Sequence, residues 1–362
     1  MKLYYFCMQK SEMKIYYYHT QDAEHIISEW KRGRYPSHLL YGVTCFAENG
    51  IDVVMHQHRQ ESNRLLRMLR VAWQVMRCRE HYDVLYGTSH RGLELLIMLR
   101  ALGIYRHPIC IWHHQPIVKA SGWLRERIAR LYYRGIDQMF MFSDTIMEMS
   151  RHSVKARPER MHMVHWGADI DYYDRFISEH PTERSGFVSS GMERRDMPTL
   201  ISAFNNTGLP LRIFSIRSYL GNDYEKIIGA IERRKNIAVT FNDRLMIDEL
   251  TTEVNRSACV VICCQPTNYT TGLTTVVEAL ALGVPIICTR NPQMPMDIEA
   301  EGCGILVDYG DVAGWESAIR YIAEHPEEAK KMGERGRGLA EHIYNIRQCT
   351  REMSLVLKRM AK

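Results

Sequence analysis

One stretch in the last third of the chain combines glycine, hydroxyl and acidic side chains in an order that suits phosphate and sugar chemistry. Residues 272–287 read G-L-T-T-V-V-E-A-L-A-L-G-V-P-I-I, which predicts a polar glycine loop, a short helix, a glycine C-cap and a buried strand. A helix starting near Thr274 would present unpaired amides and the positive end of its dipole, which suits a diphosphate. Glu278, about one turn later, could accept hydrogen bonds from vicinal ribose hydroxyls.

The backbone contacts to such a ligand would come from Gly272, Leu273, Thr274 and Thr275. The alternative interpretation is an ordinary capped helix with a surface glutamate, and the pattern G-x-T-x-x-x-E alone would favour that alternative. The continuation A-x-A-x-G-x-P-x-I favours the binding site instead.

Short apolar strands alternate with helical patterns and position this stretch. One series runs from residue 15 to about residue 142, and a second begins at residue 186. Such alternation predicts parallel sheets with right-handed crossovers and ligands at the carboxyl ends of the strands. We expect an α/β fold with two Rossmann-like, doubly wound domains facing a cleft.

The predicted boundaries follow from where the alternation lapses. They are an acceptor-binding domain over 1–170, a linker over 171–185, a donor-binding domain over 186–345, and a C-terminal helix over 346–362 that could cross back to the first domain. The start M-K-L-Y-Y-F resembles residues 13–18, M-K-I-Y-Y-Y. We expect the second copy to be the first strand, with residues 1–12 as an extra prefix.

Composition indicates an ordinary globular protein rather than a membrane-spanning one. Of 362 residues, 46% are hydrophobic and 25% are charged, and no apolar run reaches the length of a membrane span. Neither a secretory signal nor a disulfide framework is visible among the ten cysteines. Scattered cysteines in apolar runs predict buried, reduced thiols and a cytoplasmic location.

Positive charge is concentrated in the first part of the chain. Residues 1–150 contain 20 Lys and Arg against 14 Asp and Glu, a net charge of +6. Residues 64–70 and 124–130 carry arginines between apolar residues at helical spacing. Two amphipathic helices with solvated polar faces would explain this pattern. A cationic face that meets anionic lipid at the inner side of a membrane is the alternative; nucleic acid ranks low because no binding motif accompanies the charge.

Residues 270–308 resemble the donor-binding signature of the family 4 retaining glycosyltransferases, which are group 1 glycosyl transferases of the GT-B fold. The family pattern is roughly E-G-F-G-L-P-x-x-E-A-x-A-x-G-x-P-V-I, and E-G-C-G-I-L-V-D at 301–308 resembles its N-G-x-L-V element. Residues 190–204 resemble its G-R-x-x-x-K-G … L-I-x-A-F element, and residues 166–169 its N-G-V-D. The resemblance covers about residues 138–345; before that, only the strand order is similar.

The resemblance assigns roles to individual residues. Arg195 occupies the basic position that neutralises the donor diphosphate, and an arginine can grip a phosphate with two donors. Glu278 matches the second glutamate of the family pair, which holds the ribose. Thr270 stands where the family has its first glutamate, which contacts the transferred sugar, and Met192 replaces the usual arginine of G-R. Base contacts are expected from residues 241–244, including Arg244.

In the first domain, the histidine pair at 113–114 follows a strand, and the family often has a histidine at this strand end. His114, the later of the two, would hydrogen-bond a donor hydroxyl or the acceptor. A metal site or a structural pair is the alternative, but adjacent side chains on an extended segment point in opposite directions. Residues 32–36, R-G-R-Y-P, are a poor match to the family's first-loop Gly-Gly and could contact an acceptor.

The resemblance implies a metal-independent hexosyltransferase without a resident cofactor. A UDP- or GDP-sugar would be the donor, and a glycan or lipid-linked molecule the acceptor, in surface polysaccharide synthesis. The acceptor hydroxyl would attack from the face of the leaving diphosphate and pass its proton to a phosphate oxygen. A catalytically degenerate binding partner and a nucleotide-sugar epimerase are alternatives. Thr270 and Met192 favour the first, whereas the second lacks a convincing carboxylate pair.

Overall fold

The computed structural model describes residues 13–241 and 247–361. These residues divide into two units. Unit 1 contains residues 13–29, 37–164 and 346–361, and unit 2 contains residues 30–36 and 165–345. Two segments therefore do not pack with the residues that precede them in the chain. Residues 30–36 follow unit 1 but pack in unit 2, and residues 346–361 follow unit 2 but pack in unit 1.

Unit 1 is built on a sheet of six parallel strands in the order β2-β1-β3-β4-β5-β6. The strands are β1 (Met13–Tyr18), β2 (Ile51–Met55), β3 (Val84–Gly87), β4 (Ile109–Trp112), β5 (Gln138–Met141) and β6 (Met161–Met163). β3 and β4 are buried at every position, as expected for a parallel sheet covered on both faces. The prediction that residues 13–18 form a strand is confirmed, and it is the first strand of the described residues. The proposed prefix lies outside the described residues.

Helices connect these strands, and polar side chains cap several of them. They are α1 (Ala23–Lys31), α2 (Arg64–Met76), α3 (Glu94–Ala101), α4 (Trp123–Arg134) and α5 (Asp144–Arg151). Asn63 caps α2 by accepting from the amides of Leu65 and Leu66. Ser143 caps α5, as its position after a strand predicts. Short 3-10 turns occupy Ser37–Leu40, Ala47–Asn49 and Pro158–Arg160.

Unit 2 contains a second six-stranded parallel sheet, in the order β11-β8-β7-β12-β13-β14. Its strands are β7 (Phe187–Ser189), β8 (Leu211–Ser215), β11 (Ile237–Phe241), β12 (Cys259–Ile262), β13 (Ile286–Thr289) and β14 (Gly304–Val307), and a small hairpin is formed by β9 (Ser218–Tyr219) and β10 (Asn222–Asp223). The direction of strand addition reverses between β7 and β12. A doubly wound sheet opens a crevice at the carboxyl ends of two such strands.

The remaining helices cover this sheet, except the last, which returns to unit 1. They are α6 (Ile170–Glu179), α7 (Met197–Thr207), α8 (Tyr224–Gly229), α9 (Ile247–Asn255), α10 (Leu273–Leu282), α11 (Val312–Glu324), α12 (Pro326–His342) and α13 (Ile346–Met360). Residues 171–185, predicted to be a linker, instead begin inside α6. Its aromatic residues Tyr172 and Tyr173, and Phe176 about one turn later, are buried, so this helix packs within unit 2.

The chain enters and leaves unit 2 at neighbouring points. Ala168 and Asn345 form an isolated parallel bridge, and the Ala168 amide donates to the Tyr344 carbonyl at 2.9 Å. A Cβ on Gly167 would collide with the Tyr344 backbone, so glycine is required for this close approach.

Two features, cysteine burial and helix hydropathy, follow from composition. The nine cysteines in the described ranges are free, and all but Cys78 are buried, which agrees with the prediction of buried thiols. Within the same ranges, no helix has the length and apolar character needed to cross a bilayer.

Candidate functional site

Two loops meet at the carboxyl ends of β7 and β12. Residues 190–196 follow β7 and residues 263–272 follow β12. The Gln265 amide donates to the Arg194 carbonyl at 2.8 Å, and the Asp196 amide donates to the Cys263 carbonyl at 2.9 Å. These bonds hold segments about seventy residues apart side by side, at the position where the strand order predicts a ligand.

The second loop ends at the N-terminus of α10, where the N-cap is Gly272. Its φ of 89° lies in the left-handed region, and no side chain caps this helix. A Cβ on Gly272 would lie 2.8 Å from Cγ2 of Ile262, so both conformation and space require glycine here. The first amides of α10 therefore have no N-cap side chain as acceptor, which is the arrangement that binds anions at helix N-termini.

The Arg195 guanidinium lies against the first turn of α10, and the residue is only 3% exposed. Its Nε and one terminal nitrogen donate to the Ser190 carbonyl at 3.1 and 2.9 Å. That terminal nitrogen also donates to Thr275 Oγ1 at 3.3 Å, and the other donates to the Glu193 carbonyl at 3.1 Å and to Cys264 Sγ at 3.2 Å. All five N–H donors of the side chain thus have protein acceptors.

The acceptors around Arg195 carry no formal charge. They are backbone carbonyls, a hydroxyl and a thiol, and burial raises the pKa of the Cys264 thiol, which keeps it protonated. In the described part of the chain, Arg195 forms no ion pair with a carboxylate. A buried positive charge and the positive end of a helix dipole therefore lie together, and this combination favours an anion.

The rest of the first loop is shaped around this side chain. Gly191 has a φ of 108°, and a Cβ there would collide with the Arg195 guanidinium. Arg194 has a φ of 51°, a conformation that costs a non-glycine residue about 1 kcal/mol or more. Arg194 and Met192 are both exposed. Met192 stands where the resembling family has an arginine, and the neighbouring Arg194 is the cation that this loop presents to solvent.

Glu278 lies one turn into α10 and is half-buried. Tyr173 of α6 is fully buried, and its pKa is raised well above the usual value, first by burial and then by the Glu278 carboxylate. The pKa of Tyr35 is raised to about 12, again by burial first and by Glu278 second. Glu278 therefore lies close to two tyrosines that the donor-binding pattern does not contain.

Tyr35 belongs to the segment 30–36, which packs in unit 2. Trp30 Nε1 donates to Asp169 Oδ2 at 3.1 Å, and Asp169 is also the N-cap of α6, accepting from the Tyr172 amide at 3.1 Å. The contact of residues 32–36 with an acceptor stays a prediction. In the structure, Tyr35 of this segment lies beside Glu278.

The other predicted donor-binding residues lie along the same loop and turn. Leu273 and Thr275 are buried, Thr270 is half-buried and Thr274 is exposed. The loop before α10 is held in shape because the Tyr269 carbonyl accepts from Thr267 Oγ1 at 3.0 Å and from Asn291 Nδ2 at 3.0 Å. Arg244, expected to contact the base, lies outside the described residues.

His113 and His114 follow β4 in unit 1, and their rings have different partners. His114 Nε2 donates to the Thr88 carbonyl at 3.0 Å, which leaves Nδ1 with a lone pair as an acceptor. Burial lowers the pKa of His114. His113 accepts from the Tyr133 hydroxyl at 2.9 Å, and burial lowers its pKa to about 4. Both rings are therefore neutral near pH 7.

A pocket of about 330 Å³ lies next to His113 in unit 1. Its polar lining comes from α2, α3, α4 and the loop after β3, namely Arg64, His90, Glu94, Tyr132 and Tyr133. The Tyr132 hydroxyl is buried and has no hydrogen-bond partner among the residues that the structure describes. Sequence patterns did not single out this pocket, because its lining residues are spread over seventy positions. In the described ranges, no group of three or more His, Cys, Asp or Glu side chains could hold a metal ion.

Comparison with known proteins shows that part of the chain is similar to a protein family. Residues 220–339 match the family model described as glycosyl transferases group 1. The matched residues all lie within unit 2. This match contains α10, Glu278 and the loop that precedes them.

Similar proteins extend the likeness to most of the chain. An MMP alpha-(1->4)-mannosyltransferase from Mycolicibacterium hassiacum is 22% identical over 298 residues, covering 76% of this chain and 70% of that protein. Anabaena HepE, solved with UDP and glucose, has a TM-score of 0.66 at 14% identity, covering 95% of this chain and 99% of HepE. Sucrose-phosphate synthase from Thermosynechococcus elongatus has a TM-score of 0.70 at 13% identity, covering 96% and 99%. The predicted GT-B fold is confirmed.

Proposed function

We propose that this protein is a retaining hexosyltransferase that uses a UDP- or GDP-sugar as donor. The observation that carries the proposal is the buried Arg195 guanidinium placed against the N-terminus of α10, whose first amides lack a side-chain cap. Both groups favour an anion, and Glu278 lies one turn further along the same helix. A nucleoside diphosphate offers a diphosphate for the first feature and a ribose for the second.

In this proposal, Arg195 acts on the diphosphate as a fixed positive charge. Its donors bind the protein, so the amides of residues 273–275 make the direct phosphate contacts. Departure of the diphosphate increases negative charge on its oxygens, and a preorganised cation and helix terminus stabilise that charge in the transition state. This assignment makes the reaction independent of a metal ion.

Glu278 would hold the ribose by accepting hydrogen bonds from its two hydroxyls. Tyr173, buried behind the carboxylate, would position it, and Tyr35 would line the same side of the nucleotide. The complex of Anabaena HepE with UDP and glucose supports a uridine nucleotide. A guanosine nucleotide, with GDP as the leaving group, remains the alternative. The reaction would proceed with retention, because the acceptor hydroxyl attacks from the face of the leaving diphosphate and gives its proton to a phosphate oxygen.

Unit 1 would bind the acceptor, a glycan or lipid-linked molecule of surface polysaccharide synthesis on the cytoplasmic side. His114 offers a neutral Nδ1 acceptor for a hydroxyl hydrogen. The pocket beside His113 is lined by side chains that suit a polyhydroxylated ligand, because phenol, imidazole and carboxylate groups all bind hydroxyls.

A second candidate is a binding partner that kept the fold but lost turnover. Thr270 favours this possibility, because its short hydroxyl side chain replaces the glutamate that contacts the transferred sugar in the resembling family. Both candidates predict nucleotide binding, and only the transferase predicts release of a nucleoside diphosphate from a nucleotide sugar.

The test is thermal unfolding with UDP or GDP, followed by nucleotide-sugar turnover. At about one hundred times its Kd, a ligand adds about 2.7 kcal/mol to the free energy of unfolding, or roughly 5–10 °C for a unit of this size. Glu278→Gln should remove most of this shift, because an amide is a weaker acceptor for ribose hydroxyls.

Glu324→Gln is the matched control, an exposed glutamate on α11 of the same unit. It should leave the shift unchanged. The proposal fails if neither nucleotide stabilises the wild-type protein, or if Glu278→Gln binds as well as the control. Binding without turnover of any nucleotide sugar would identify the degenerate partner.

A further inference from the structure

Helix α2 has two apolar faces, and only one of them is buried. Val71, Ala72 and Val75 are buried. On the other side of the helix, five large apolar side chains are each between 48% and 60% exposed, namely Leu65, Leu66, Leu69, Trp73 and Met76. At 100° per residue, these five fall within a single stripe about 100° wide. A helix with only a solvated polar face would not present this stripe.

Helix α4 presents a similar surface. Trp123, Leu124 and Ile128 are between 52% and 71% exposed. The arginines of this helix are also exposed, namely Arg125, Arg127, Arg130 and Arg134. The acidic Glu126 is buried, and it pairs with Lys155 at 3.1 Å. The outer face of α4 therefore combines apolar side chains with positive charge and no exposed carboxylate.

The two helices lie on the same side of the sheet. α2, α3 and α4 connect β2 to β3, β3 to β4 and β4 to β5, and each connection moves in the same direction across the sheet. Right-handed crossovers place such helices on one face, and α3 packs against both α2 and α4. The exposed stripes of α2 and α4 therefore lie on the same side of the sheet, with α3 between them, and together they are called the arginine-rich apolar face.

Charge and side-chain type indicate what this face binds. Residues 64–77 contain four arginines and no acidic residue, and residues 123–134 contain four arginines and one glutamate, which is buried. Arg77 lies over the Trp73 ring at 5.0 Å, and Arg127 lies over the Trp123 ring at 5.8 Å. Indole rings prefer the boundary between headgroups and acyl chains, and arginines beside them can reach lipid phosphates.

We infer that the arginine-rich apolar face binds the surface of an anionic lipid bilayer. Apolar side chains would enter the headgroup region while the arginines neutralise acidic lipids, so neither feature alone is sufficient. Arg64, Arg70 and Arg130 already pair with Glu94, Glu61 and Glu126. A neutral protein partner would leave the remaining arginines of the two helices without counter-charges. The inference goes beyond glycosyl transfer, and its test does not depend on activity.

The experiment is co-sedimentation of the full chain with vesicles. One set contains phosphatidylcholine alone, and the other contains phosphatidylcholine mixed with phosphatidylglycerol. The wild-type protein should bind only the anionic vesicles, and binding should weaken as salt screens the arginines. Leu69→Ser with Trp73→Ser should lower affinity at least tenfold, and Arg125→Gln with Arg127→Gln should do the same. These side chains are exposed, so thermal unfolding should show that the variants stay folded.

Leu355→Ser is the matched control, because Leu355 is 57% exposed on α13 of the same unit. It should bind like the wild type. The inference is overturned if the wild type ignores anionic vesicles, binds neutral vesicles equally, or if the control loses as much affinity as the double variants. It is also overturned if light scattering shows a dimer that Leu69→Ser with Trp73→Ser dissociates, because a second copy would then cover this face.

Discussion

Arg195 shows how one side chain can join three separate elements. Its hydrogen bonds reach the loop after β7, the loop after β12 and the first turn of α10. The resemblance identified Arg195 as the basic residue of the site but implied that its donors grip a phosphate. The structure shows those donors engaged within the protein. Two of the acceptors, Cys264 Sγ and Thr275 Oγ1, lie about seventy and eighty positions further along the chain, so the sequence alone did not reveal them.

We expect Arg195→Ala and Arg195→Lys to separate the charge of this residue from its bonds. Alanine removes both, and should lower the free energy of unfolding by roughly 2–4 kcal/mol and abolish nucleotide binding. Lysine keeps the charge but has only three donors, so it should lose part of the stability and retain weakened binding. Urea unfolding and titration calorimetry measure the two effects.

Arg233→Lys, at an exposed position of the same unit, is the control and should change neither quantity. If Arg195→Lys matched the wild type in both measurements, the five hydrogen bonds would have no role.

Tyr35 and Tyr173 mark the limit of residue-level prediction. Glu278 followed from its spacing after Gly272, which is a local pattern. The positions of its two neighbours could not be predicted. Tyr35 lies more than two hundred positions away, and Tyr173 lies in the segment that was predicted to be a linker. Their proximity to Glu278 depends on how α6 and residues 30–36 pack.

At the scale of elements, α12 packs very closely on the end of α10. Gly283 ends α10 with a φ of 63°, and a Cβ on Gly333 of α12 would collide with the Gly283 carbonyl oxygen. Because that oxygen belongs to a rigid helix end, it cannot move aside easily. The approach of the two helices therefore depends on the missing side chain at Gly333.

Two glycines of α12 should respond in opposite directions to alanine. Gly333→Ala should lower the free energy of unfolding by about 1–3 kcal/mol, because the new methyl group overpacks the contact. At Gly338, no atom lies within 4 Å of an added Cβ, so Gly338→Ala should raise stability by up to about 1 kcal/mol through helix propensity. Chemical denaturation of both variants measures the difference. Equal effects would show that the contact does not limit the packing.

Elements with strong local patterns were predictable. The buried strands appeared as short apolar runs, and the glycines at 272 and 283 indicated the two ends of α10, where the structure has its N-cap and C-cap. α6 was missed because its buried aromatics are mixed with four charged residues, which resembles a polar linker. The exposed stripe of α2 was also missed, since periodicity shows that a helix has an apolar face but not whether that face is covered.

At the scale of the whole molecule, the order of strands and helices allowed the two-sheet architecture to be predicted. The exchange of segments between the units could not be read in the same way. Residues 30–36 contain only the end of α1 and the turn that follows it, yet they pack in unit 2. Local propensity does not specify which of two cores a short segment joins.

Acid should destabilise unit 1 through two buried histidines. Burial lowers the pKa of His56 and of His113 to about 4, whereas an unfolded histidine titrates near 6.5. As pH falls from about 6.5 to about 4, the unfolded chain binds protons that the folded chain does not, so stability is lost across that window and is constant above it. Between pH 7 and pH 5, the loss should be roughly 2–4 kcal/mol for both residues together.

Urea unfolding at several pH values tests this dependence through its slope. His113→Gln should reduce the slope without abolishing it, because burial also lowers the pKa of His56 and of His114. This holds even if the substitution lowers stability at every pH. His152→Gln, at the exposed C-cap of α5, should leave the slope unchanged. A His113→Gln protein with the wild-type slope would contradict the assignment.

The bridge between Ala168 and Asn345 makes the two ends of the long segment of unit 2 neighbours in space. Polypeptides with adjoining ends tolerate rearrangement of their gene, since old termini can be fused and new ones opened elsewhere. Residues 165–345 could thus be reordered by circular permutation, with fresh termini at the exposed turn around Gly208. A short synthetic peptide containing Trp30 and Tyr35 could then be added as a separate molecule, and its binding to the permuted segment could be measured.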